Sequence, residues 1–78
     1  MRMLKEKTII LFPLTSKKIV DIKEEIVQEA IERNIQGSTI ITANLIRNTI
    51  YITSSNEEFI RDLSSSHEFV VRCVVPLN

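Results

Sequence analysis

Seventy-eight residues with ten basic and ten acidic side chains make one small domain, 1–78, with no net field to draw it onto nucleic acid or an anionic membrane. The lone cysteine, Cys73, excludes an internal disulfide and a multi-cysteine metal site, and is expected to be a small buried hydrophobe in a reducing, cytoplasmic setting. One glycine and two prolines leave no Gly-Ser linker, and no apolar run approaches the ~20 residues of a membrane span.

The first element is a strand, Lys7 to Phe12. KTIILF is short, apolar and β-branched, and Pro13 ends it. Both faces are apolar, with Ile9 and Leu11 on one and Ile10 and Phe12 on the other, so the strand is expected to be covered on both sides or to lie at an interface.

A helix follows over Lys17 to Ile35, with Thr15 or Ser16 as its cap. Its apolar face is Ile19, Val20, Ile22, Ile26, Val27, Ala30 and Ile31, interrupted only by Lys23, whose stem can lie along that face. Lys17 and Lys18 occupy the first turn, where the helix dipole disfavours cations, and are expected to be solvated. Gly37 is expected to stop the helix in a left-handed conformation.

Ser38 to Ala43 is the second strand, Asn44 to Asn48 a turn, and Thr49 to Thr53 the third strand. In TIYIT, Ile50 and Ile52 alternate with Thr49, Tyr51 and Thr53, and the Thr-Tyr-Thr face is the wetter one. Ser54, Ser55 or Asn56 caps the next helix, with Glu57 and Glu58 in its first turn.

The last third admits two readings. As one helix, Phe59, Ile60, Leu63, His67, Val70, Val71, Cys73 and Val74 share a face, and the fold is α+β: a two-layer βαββα unit with a three-stranded antiparallel sheet and two helices on one face. As a helix to about Ser64 and a strand from His67, the fold is ferredoxin-like, βαββαβ, and the bulky or β-branched run FVVRCVV favours that locally.

The chemistry expected is that of a binding protein and not an enzyme. Ser66 and His67 are adjacent, which sends their side chains apart, and no motif places an orienting carboxylate. There is no metal-ligand spacing, phosphate loop or dinucleotide fingerprint, so no catalytic residue, cofactor or metal is expected. An RNA-reading sheet would need an aromatic pair on adjacent strands, and only Tyr51 is expected to lie on an internal strand. On the helical reading Arg61, Ser65, Phe69 and Arg72 form a stripe outside the core, an aromatic between two arginines that suits a partner-binding surface.

The order of strand, Ser/Thr cap, long helix and hairpin, then TIYIT, the polar turn SSN and FIRDLSSSHEFVVRCV, resembles the small dimerisation subunit of the KEOPS complex, the Pcc family related to the cancer-testis antigen proteins. Ile60-Arg61 stands at that family's Leu-Arg pair and Ser65-Ser66 at its small polar positions, while Asn56 replaces a common Asp. The resemblance implies a βαββα fold and a non-catalytic scaffold. Such a subunit binds the catalytic threonylcarbamoyl-transferase through its helices, pairs two copies of the complex and touches tRNA modification only indirectly. The competing reading is a ferredoxin-like ligand-binding or regulatory dimer.

On the three-stranded reading the first strand is an edge, and its TIILF stretch, Thr8 to Phe12, contains no charge. Thr8, Ile9, Ile10, Leu11 and Phe12 are then the expected dimer contact, pairing with a second copy or a paralogue.

Overall fold

The computed structural model describes residues 6–66 and 68–74. The elements run β1 (Lys7–Pro13), α1 (Ile19–Glu32), β2 (Thr39–Asn44), β3 (Thr49–Ser54), α2 (Glu57–Ser64) and β4 (Phe69–Val74). The chain is α+β, and its sheet has four antiparallel strands in the order β2-β3-β1-β4, not three. This is the ferredoxin-like βαββαβ arrangement.

The fourth strand corrects both the three-stranded sheet and the edge assigned to β1. Thr8 to Pro13 pair with Val74 back to Phe69 on one side, while Lys7 to Leu11 pair with Ser54 back to Ile50 on the other. Thr8, Ile9, Ile10, Leu11 and Phe12 are therefore in the sheet interior, and their backbone groups are not free for a second copy. The helical spacing that runs on past Ser64 is overridden by two forces. Valine favours a pleated surface, and β1, apolar on both faces, offers an unpaired row of donors and acceptors that only a strand can satisfy.

Local chemistry sets the boundaries. No side chain caps α1: the Lys18 backbone starts it, and the Thr15 hydroxyl accepts from the Lys17 amide at 3.4 Å instead. At its end the Asn34 amide donates to the Ile31 carbonyl and the Ile35 amide to the Ala30 carbonyl, with Asn34 left-handed at φ 49°. That is a Schellman stop built on asparagine, so Gly37 does not end the helix. Gly37 is left-handed, at φ 93°, in the turn into β2, where an added Cβ would collide with the Ser55 hydroxyl that accepts from the Ser38 amide. Asn56 caps α2, its Oδ1 accepting from the Phe59 amide at 2.9 Å while its Nδ2 donates to the Gln36 carbonyl.

Both helices lie on one face of the sheet. Ile9, Leu11, Ile50 and Ile52 meet Ile19, Ile22 and Ile26 of α1 and Phe59, Ile60 and Leu63 of α2 to form the core. Thr49 departs from the expected wet face, being buried with no partner for its hydroxyl.

Candidate interaction surfaces

Strand alternation sends Ile9 and Leu11 under the helices and Thr8, Ile10 and Phe12 to the open face of the sheet. Register carries the same parity across. Tyr51 and Arg72 flank Ile10 from β3 and β4, Val70 stands opposite Phe12, and Thr8 shares a 2.9 Å hydroxyl–hydroxyl hydrogen bond with Thr53. Phe12 and Tyr51 stand on the open side of two adjacent strands, and because β4 makes β1 interior both of those strands are internal, which corrects the expectation that only Tyr51 lies on one. Among the described strand residues of this face Arg72 is the only charge, so the face has no cationic track for a nucleic-acid backbone.

The four residues expected to bind a partner are not brought together. Arg61 and Ser65 are exposed on α2 and at its end, where the Ser65 hydroxyl donates to the Asp62 carbonyl at 3.0 Å. Phe69 is half-buried against the core, across from Pro13, and Arg72 is exposed on the open face. A strand alternates where a helix would have stacked them, so the stripe does not exist. The same change moves Val70 from the expected core to 49% exposure. Cys73 lies in β4 opposite Ile9, and His67 falls outside the described residues.

A cleft of ≈240 Å³ opens between the two helices and the start of β4, bordered by Glu25, Glu29, Asp62 and Glu68 with Arg33 and Phe69. Its carboxylates are largely answered from within. Lys17 donates to Glu25 at 3.1 Å, and Arg33 reaches Asp62 at 2.7 Å and Glu29 at 3.9 Å. The hydrogen bond to Glu25, and then the charge of that carboxylate, hold the Lys17 ammonium above its ordinary pKa. Among the described residues no group of three or more His, Cys, Asp or Glu is placed to hold a metal ion. None of the described helices is long and apolar enough to cross a membrane.

The turn from Asn44 to Asn48 carries an apolar tip that sequence reasoning does not single out. The Asn44 side chain accepts from the Arg47 amide at 3.1 Å, Asn48 turns left-handed at φ 53°, and the loop between them holds Leu45 at 65% and Ile46 at 98% exposure. Leu11 pairs with Ile50, so this tip emerges at the same end of the sheet as Phe12, Leu14 and Val70. The signal available in the sequence was an apolar Leu-Ile pair inside a turn, where polar residues are the rule. Comparison with protein-family models, with curated proteins and with solved structures yields no match.

Proposed function

We propose that the chain is a non-catalytic protein-association module of ferredoxin-like architecture, a regulatory or adapter domain in the cytoplasm that works through its surfaces. The observation that carries this reading is the concentration of exposed apolar side chains at one end of the sheet: Phe12, Leu14, Leu45, Ile46 and Val70. Single exposed apolar residues are ordinary, but a cluster of large ones supports a contact site. The tip's Arg47 and the face's Arg72 add the arginine that such contacts favour. The carboxylates of the inter-helix cleft, answered by Lys17 and Arg33, do not favour a catalytic reading of that hollow.

The scaffold role in the KEOPS complex, binding the threonylcarbamoyl-transferase subunit in support of tRNA modification, is the more specific form of this proposal. It rests on the resemblance alone, and β4 departs from the βαββα fold that the resemblance implies.

Affinity capture from the native cell with wild-type chain and with Ile46→Asp is the test. Ile46 is almost wholly exposed, so the variant should keep its melting temperature while losing the partner by about 2 kcal/mol or more, the scale of an interface hot spot. A partner retained at full affinity by Ile46→Asp rejects the hairpin-tip site. Recovery of a threonylcarbamoyl-transferase would select the KEOPS form, and its absence among strong partners would reject that form.

A further inference from the structure

With β1 interior, the sheet has two edges, β2 and β4, and they are not alike. The outer row of β4 carries Arg72. Thr39–Asn44 carries no charge and no proline, and it pairs with β3 residue for residue without a bulge. Edge strands are ordinarily guarded by one of those devices. β2 has none.

The surroundings of that edge are apolar on both sides. On the open side Ile40 is 58% exposed. On the helix side a hollow of ≈450 Å³ lies between α1 and β2, lined by the apolar Val27, Ala30, Ile31, Ile35 and Ile41 together with the polar Asn34 and Thr39. The helix contributes more apolar surface than the domain uses. Of the seven apolar positions on its expected face, Ile19, Ile22 and Ile26 are buried, while Val20 and Ile31 stay exposed and Val27 half-exposed. Val20, Val27 and Ile31 lie along one flank, Val27 and Ile31 one turn apart and Val20 two turns before Val27, and Val27 and Ile31 line the hollow beside β2.

We infer that this wall is a self-association surface: a second copy of the chain adds its β2 antiparallel to this β2 about a two-fold axis, making one eight-stranded sheet. The occupant is argued from the edge itself. The outward amides and carbonyls of alternate β2 residues face water in the monomer and form a ready template for another extended backbone, and a two-fold contact presents the same patch from both sides. Pairing centred on Ile41 sets Ile41 beside its copy on the helix side and brings the Val27–Ile31 flanks of two antiparallel α1 helices together over the axis. Charge permits it, since the charged residues along that flank, Lys23 and Glu24, are of opposite sign and a copy meets no like-signed wall. A six-residue edge about 20 Å long under a helix of similar length forms a strip roughly 15 Å wide, a footprint on the order of 300 Å² per copy, smaller than the ~800 Å² per partner of a standard interface, so the pairing is of the concentration-dependent kind. The surface is separate from the hairpin tip, so this contact and the association role above stand or fall by different measurements.

Sedimentation equilibrium over a micromolar concentration series, with wild type, Ile31→Lys and Phe12→Ser, decides it. Ile31 is 65% exposed, so the lysine is tolerated in the monomer and excluded only from a buried contact. Wild type should be dimeric, Ile31→Lys should dissociate at least about tenfold more readily with unchanged far-UV circular dichroism, and Phe12→Ser should leave the dimer intact. Amide exchange in Thr39–Asn44 should slow as wild-type concentration rises. A wild-type chain that stays monomeric at high micromolar concentration overturns the inference. So does a dimer indifferent to Ile31→Lys, or one lost through Phe12→Ser while Ile31→Lys retains it.

Discussion

The Arg33 guanidinium at the end of α1 donates to the Asp62 carboxylate of α2 at 2.7 Å and lies 5.6 Å from the centroid of the Phe59 ring. One side chain thus ties the two helices across their cleft and covers the largest buried aromatic from outside. The ion pair is partly exposed, at 30% and 51%, which limits its contribution to the lower range of surface pairs. The cation over the ring and the packing of the stem add a comparable amount.

Arg33→Ala should therefore cost about 1–1.5 kcal/mol and Asp62→Ala less than about 0.5 kcal/mol, measured by urea unfolding. Salt should weaken the Asp62 part only. Equal losses from the two variants would assign the whole effect to the ion pair.

Phe69→Ala tests the correction of the expected partner stripe. As an exposed contact residue Phe69 would affect binding and spare stability. Half-buried beside Val71 against the core, it should cost roughly 2–3 kcal/mol of folding free energy, below the full value for a completely buried aromatic. A melting temperature within a degree or two of wild type would restore Phe69 to the surface.

Thr49→Val removes a hydroxyl that is buried at 2% exposure without a partner. The shape is kept and the desolvation cost is relieved, so the variant should gain up to about 1 kcal/mol in denaturant midpoint at constant slope. A loss of that size would mean the hydroxyl is satisfied in solution by an ordered water.

Much of this molecule is legible in the chain because the information is local. β-branched alternation in TIYIT, the helical period from Ile19 to Ile31, a polar cap among Ser54, Ser55 and Asn56 and the turn from Asn44 to Asn48 each act within one element, and the structure selects Asn56 as the cap. What the chain alone left open is decided between elements. Val70, Val71, Cys73 and Val74 suit one face of a helix by spacing, while Phe69 to Val74 suit a strand by propensity, and only the unsatisfied side of β1 breaks the tie. That one pairing relocates the rest: it takes Thr8 to Phe12 out of the edge, separates Arg61 and Ser65 from Arg72 and turns Val70 outward. A strand's partner is a long-range fact, set by which backbone rows remain unpaired once every other element has been placed.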